Sequence, residues 1–159
     1  MPKLNLGSVA QRLIELSGDL FFVITNEGYI FALSKEWEKL LDRSISELRG
    51  TPFTNFLIEE DKPASESAFK AVLAGSELKG LRNSYIHKNG SHVQLEWRAV
   101  LDDETQLVFA AATPITESRL QAEELELEKQ KSIQNSKLAS LGEMAAGIAH
   151  EVNNPLSII

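Results

Sequence analysis

Along the first half of the chain the apolar positions keep changing their period. Val9, Leu13, Ile14 and Leu16 recur at helical spacing across residues 8–17, with Ser8 in the place of an N-cap and Gly18 in the place of a stop. Residues 20–25 and 29–33 are short runs rich in aromatic and β-branched side chains, and Asn26-Glu27-Gly28 between them predicts a hairpin. Ser34 then stands as the cap of a helix carrying Trp37, Leu40 and Leu41. Gly50 and Pro52 break residues 44–57 into short helical or irregular pieces. Residues 59–74 predict a longer helix that presents Ala68, Phe69, Val72 and Leu73 and stops at Gly75.

After that helix the period drops to two. Residues 81–88 and 91–101 flank Asn89-Gly90, a strong hairpin signal. The second run alternates, with Val93, Leu95, Trp97 and Ala99 on one face and Gln94, Glu96 and Arg98 on the other. A turn at 102–105 leads into a last strand at 106–113. Two strands, a run of small helices and a three-strand meander make an α+β layout. Its core is one five-stranded antiparallel sheet with helices packed over one face.

Beyond this point the pattern becomes helical and polar. Thr113 followed by Pro114 reads as an N-cap and first-turn pair. Residues 115–153 hold no proline, and their only glycines are Gly142 and Gly147. They predict one helix roughly 60 Å long at ~1.5 Å per residue. Its first half, with Glu123, Glu124, Glu126, Glu128, Lys129 and Lys131, has no apolar face for a globular core, which points to a strut or a coiled coil. Alternating steps of four and three pick out Leu120, Glu124, Leu127, Lys131, Gln134, Leu138, Leu141, Ala145, Ile148 and Val152. The last five are apolar and predict a dimer or bundle seam. The polar Glu124, Lys131 and Gln134 predict weak, rearrangeable packing upstream. Leu125 falls off the seam. His150 falls on the outward side of this frame, between Ile148 and Val152 that point in.

Composition narrows the possibilities. With 159 residues, 43% of them hydrophobic and 25% charged, the chain has room for one ordinary domain plus a helical appendage. There is no cysteine, which excludes disulfides, thiolate metal sites and thiol nucleophiles. The longest unbroken apolar run, residues 107–112, is far short of the ~20 residues a bilayer span needs. No leader pattern opens the chain, so the cytoplasm is the expected location. A net charge of −7 weighs against a nucleic-acid surface.

The segment 136–159, SKLASLGEMAAGIAHEVNNPLSII, resembles the phosphoacceptor box of the sensor histidine kinase family. That box is a histidine followed by an acidic residue, then Asn or Thr four places on and Pro five places on. Here these are His150, Glu151, Asn154 and Pro155. The region before it resembles a PAS domain in its strand order, its Asn89-Gly90 hairpin and its sheet feeding directly into a helix. The resemblance divides the chain into a PAS-like sensor domain at 8–115, a coiled-coil signalling linker at 116–135 and a truncated dimerisation and phosphoacceptor segment at 136–159. One departure concerns the exit from the sheet. PAS domains of this kind usually end in Asp-Ile-Thr, and Pro114-Ile115-Thr116 lacks the Asp.

The resemblance implies that His150 accepts a phosphoryl group, which suits a neutral imidazole of ordinary pKa near ~6.5. It implies further that Glu151 takes the other ring N–H as base or orienter, and that Asn154 orients water in dephosphorylation. Pro155 is expected to loosen the helix beside His150 and to disfavour helix at Asn154. The implied partners are a second copy of the chain, an ATP-binding catalytic domain using ATP and Mg, and a response-regulator receiver domain. No cofactor is required in this chain, and without a phosphate-cradling motif it is not expected to phosphorylate itself.

The candidate lining of a PAS pocket is Phe22, Ile24, Trp37, Phe56, Phe69, Tyr85, Leu95, Trp97 and Phe109, with Leu41, Phe53 and Leu73 beside them. The same residues would equally fill a close-packed core. If Asn89-Gly90 is a two-residue turn, His87 faces His92 with Cβ atoms ~5 Å apart. Such a pair can chelate zinc, nickel or copper. With no third ligand in view, the alternative is a solvated hairpin tip, and no metal site is assigned. The competing functional reading is a stand-alone dimeric ligand-binding PAS module without phosphotransfer.

Overall fold

The computed structural model describes residues 6–157, and contacts divide the chain into two compact units, residues 1–115 and residues 116–159. In the first unit α1 (Leu6–Ser17) is followed by β1 (Leu20–Ile24) and β2 (Ile30–Leu33). Short helices α2 (Glu36–Leu41) and α3 (Ile45–Leu48), two 3-10 turns (Phe53–Phe56, Glu59–Asp61) and α4 (Lys62–Leu73) come next. The unit closes with β3 (Leu78–Ile86), β4 (His92–Asp102) and β5 (Leu107–Pro114). The five strands form one antiparallel sheet in the order β2-β1-β5-β4-β3. A hairpin and a three-strand meander would each leave a bare edge. Pairing β1 with β5 joins the two.

The inner face follows from the alternation of side chains. Leu20, Phe22 and Ile24 of β1, Leu95, Trp97 and Ala99 of β4, and Val108, Ala110 and Ala112 of β5 are all buried. Trp37, Leu41, Leu48, Phe53, Phe56 and Val72 cover them from the helical side. At the centre Phe22 stacks on Trp37 with ring centroids 4.1 Å apart, and Trp97 and Tyr85 complete the cluster. Burying a side chain such as Phe22 contributes roughly 1.5–3 kcal/mol, and a well-placed ring pair about 0.5–1.5 kcal/mol more.

Several local expectations need correction. Helix α1 begins at Leu6, so Ser8 lies inside it and is no cap, whereas Gly18 does stop it with φ +66°. Ser34 does not cap α2 with its side chain, because its hydroxyl is used elsewhere. It accepts from the Phe21 N–H (3.0 Å) and donates to the Asp19 carbonyl (2.9 Å), fastening the start of β1. Phe109 is 45% exposed and points off the outer face, because Val108 and Ala110 take the inward positions on β5.

The β3–β4 turn is one residue longer than the sequence suggests. His87 donates its N–H to the Ser91 carbonyl (2.8 Å), and Gly90 donates to His87 (2.9 Å). This leaves a three-residue loop that Gly90 closes at φ +88°. His92 therefore pairs with Ile86 and not with His87. A shift of one residue sends the two imidazoles to opposite faces.

In the second unit α5 runs from Glu117 to Ser157, 41 residues. Its cap is Thr116, not Thr113: the Thr116 hydroxyl accepts from the Arg119 N–H (3.2 Å). Thr113 and Pro114 instead extend β5. Ile115 donates to the Gln94 carbonyl (2.8 Å), so the ladder places Pro114, opposite Leu95, where no N–H toward β4 is needed. At the far end the helix continues through Asn154 and Pro155. Asn154 is helical although Pro155 was expected to disfavour helix there, and proline withholds the N–H that the Glu151 carbonyl would accept in a regular helix.

Candidate functional site

Two places carry the chemistry that the sequence suggested, one in each unit. In the first, a cavity of about 40 Å³ lies between α4 and the inner face of the sheet. Ile24, Phe69, Tyr85 and Trp97 of the candidate lining reach it, with Phe53 beside them. Phe22, Trp37, Phe56, Leu95 and Leu41 are buried in the core without lining it, and Phe109 faces outward. A water molecule takes roughly 30 Å³ of liquid volume, and pockets for larger ligands run to roughly 300–1,000 Å³. In this conformation the space is the size of one or two waters.

Two polar residues of this site were not singled out from the sequence. The Trp97 indole N–H donates to Asn83 Oδ1 (2.7 Å), and Asn83 Nδ2 donates to Ser65 Oγ (3.0 Å). Both Ser65 and Asn83 are buried and line the cavity. The chain of hydrogen bonds ties α4 to β3 and β4. Nearby, Asp61 accepts the Ser84 N–H (2.7 Å) and adds a second tie. A signal for Ser65 existed, since it stands four and seven residues before Phe69 and Val72 on one helical face. Burial pushes the Tyr85 phenol well above its usual range, so it stays neutral.

The second place is His150 on α5. Its imidazole is exposed, and its Nδ1 lies 3.2 Å from Asn154 Nδ2. Residues four apart share a helical face, which is why Asn154 reaches the ring. Glu151 sits ~100° around the helix, and among the described contacts it makes no hydrogen bond to the ring. Ile148 and Val152 are each two residues away, roughly 200° around the axis, so they lie on the face opposite the histidine. In this single chain Leu138, Leu141, Ile148 and Val152 are all more than half exposed, forming an uncovered apolar stripe. Among the described residues no cluster of three His, Cys, Asp or Glu side chains is placed to hold a metal. No helix among them is long and apolar enough to cross a membrane.

Comparison with known proteins agrees with this architecture. The PAS fold family matches residues 30–113. Sporulation kinase C of Bacillus subtilis (strain 168) is 28% identical over 161 residues, covering 98% of this chain and 37% of that protein. Sensor histidine kinase TmoS of Ectopseudomonas mendocina is 40% identical over 94 residues, 57% of this chain and 10% of that protein. The chain thus spans well under half the length of either relative. Among solved structures, a domain of a sensory box sensor histidine kinase/response regulator from Geobacter sulfurreducens superposes with a TM-score of 0.60. It has 15% identity over 67% of this chain and 92% of that one, a likeness of fold. With its five-stranded sheet, its helical cover and this match, the chain belongs to the PAS fold family, and its relatives are sensor histidine kinases.

Proposed function

We propose that this chain is the sensory and phosphoacceptor part of a two-component sensor histidine kinase. His150 accepts a phosphoryl group from ATP, bound with Mg by a kinase catalytic domain, and passes it to an aspartate of a response-regulator receiver domain. The observation that carries this reading is the placement of the His150, Glu151, Asn154 and Pro155 set. It lies on an uninterrupted helix, with the imidazole in solvent on the side away from the apolar stripe. That arrangement lets the stripe of Leu138, Leu141, Ala145, Ile148 and Val152 pack against a second copy while the histidine stays open to other proteins. A lone exposed histidine on a helix is ordinarily a solvated side chain. The full four-residue set beside a PAS unit related to sensor histidine kinases favours the phosphoacceptor.

In the transfer, a ring nitrogen lone pair bonds to phosphorus as the bond to the nucleotide oxygen breaks. Glu151 is the nearest carboxylate in sequence to receive the ring proton. Asn154 already touches the ring. The competing reading, a stand-alone ligand-binding module, has no use for the His150, Glu151, Asn154 and Pro155 set. The test is incubation with labelled ATP, Mg and a kinase catalytic domain supplied in trans. The parent chain should acquire acid-labile, base-stable label and His150→Gln none. Equal labelling of the two removes the proposal.

A further inference from the structure

The outer face of the sheet, opposite the interior cavity, carries an open groove of about 420 Å³. Small-molecule sites run to roughly 300–1,000 Å³. The strand register lays its floor in two rows. In one, Arg98 stands beside Ala111 and Ala111 beside Phe21; in the other, Val100 stands beside Phe109 and Phe109 beside Val23. Ile14 of α1 forms a further wall. Val100 and Phe109 are each 45% exposed, and the small Ala111 leaves a trough between Arg98 and Phe21. One end of this apolar groove is cationic. Lys79 pairs directly opposite Arg98 across the β3–β4 ladder, an arrangement of like charges that opposes folding. The neighbouring carboxylates are engaged elsewhere: Glu77 lies 2.6 Å from Lys79, and Glu96 lies 2.9 Å from Arg82. Arg98 has no ion pair or hydrogen bond among the described residues, which leaves it as the cation in excess.

We propose that this groove binds a medium-chain fatty acid, its carboxylate on Arg98 and its alkyl chain laid across Ala111 toward Phe21 and Val23. An exposed arginine by itself is ordinarily solvated. Here it stands at the head of an apolar trough and faces a second cation, so an amphiphile with one negative end matches both features. From β4 across β5 to β1 is two strand spacings, about 10 Å at ~4.8 Å each. An extended chain of roughly eight to ten carbons spans that distance, with bonds of ~1.5 Å advancing ~1.25 Å per carbon. The carboxylate is ionised at neutral pH, as the guanidinium requires. A second copy of the chain seated face to face on this surface would bring its own Lys79 and Arg98 and add like charge.

The experiment is isothermal titration calorimetry of the full chain with decanoate, octanoate and decan-1-ol, each below its aggregation concentration. Decanoate should bind one per chain, and octanoate, two methylenes shorter, about tenfold more weakly. Arg98→Gln should weaken decanoate about tenfold and leave decan-1-ol unchanged, since the alcohol brings no charge to the guanidinium. Ala111→Leu fills the trough and should weaken both by more than tenfold. Arg98→Gln also relieves the repulsion from Lys79, so its urea midpoint should be no lower than the parent's, and lost binding is then not lost folding. Equal decanoate affinity in the parent, Arg98→Gln and Ala111→Leu overturns the proposal, because the ligand then sits elsewhere. Absence of decanoate binding to the parent at millimolar concentration overturns it too. So does a parent dimer in sedimentation that Phe109→Lys dissociates, which gives the face to a second copy.

Discussion

Asn83→Ala should destabilise the PAS unit far more than the loss of one small polar side chain suggests. Asn83 is 6% exposed, accepts the Trp97 indole N–H at 2.7 Å and donates to Ser65 Oγ at 3.0 Å. Truncation removes the acceptor of the buried indole N–H, at a cost of about 1–3 kcal/mol. The second hydrogen bond, to Ser65, is worth about 1 kcal/mol net. Together these give a loss of about 2–4 kcal/mol for Asn83→Ala. Ser65→Ala leaves the Trp97 bond intact and should cost about 1 kcal/mol. The double variant should cost little more than Asn83→Ala alone, because the Ser65 bond is already gone. Urea unfolding followed by tryptophan fluorescence measures all three, with stability read from midpoints at constant m. If Asn83→Ala lies within about 0.5 kcal/mol of the parent, the buried hydrogen-bond chain is not what couples α4 to the sheet.

Other outcomes follow from the same reasoning. Leu141→Glu and Ile148→Lys, which put charge into the apolar stripe, should shift the chain toward monomer in sedimentation experiments, while Leu125→Glu, off that stripe, should not. The Ser44 backbone N–H, with Lys88 nearby, holds the Glu47 carboxyl below its usual range. Its stabilising contribution is therefore full above the ordinary carboxylate pKa and is lost as pH falls through the lowered one. Glu47→Gln should be less stable than the parent at pH 7 and should converge with it in acid. Gly90→Ala forces an alanine to φ +88° and should cost about 1 kcal/mol in the same urea assay, with the sheet retained by circular dichroism.

The five strands and the inward residues of β4 were legible because a half-buried strand repeats its apolar positions every second residue. The long helix was legible because nothing in it breaks one. What stayed hidden were choices between partners of equal local merit. Ser34 can cap a helix or bridge a strand, and only the fold reveals the Asp19 and Phe21 backbone groups waiting for it. Phe109 carries the largest side chain in its run, yet pairing of β5 with β1 and β4 gives the inner face to the smaller Val108, Ala110 and Ala112. The His87 and His92 register turned on one residue of loop length, which Asn89-Gly90 leaves open. For the set His150, Glu151, Asn154 and Pro155 the residue types could be read from the sequence, while the contact of His150 with Asn154 rather than Glu151 came from helical geometry.

The most direct measurement of the central claim is residue-level mapping of phosphate after incubation with ATP, Mg and a kinase catalytic domain. The digestion and tandem mass spectrometry are kept at neutral to alkaline pH, where phosphohistidine survives. His87 and His92 sit in the same chain and serve as internal controls. The account predicts phosphate on His150 alone, and its loss on addition of a cognate receiver domain. Phosphate on His87 or His92 at comparable occupancy, or an unmodified His150 beside an active catalytic domain, contradicts it.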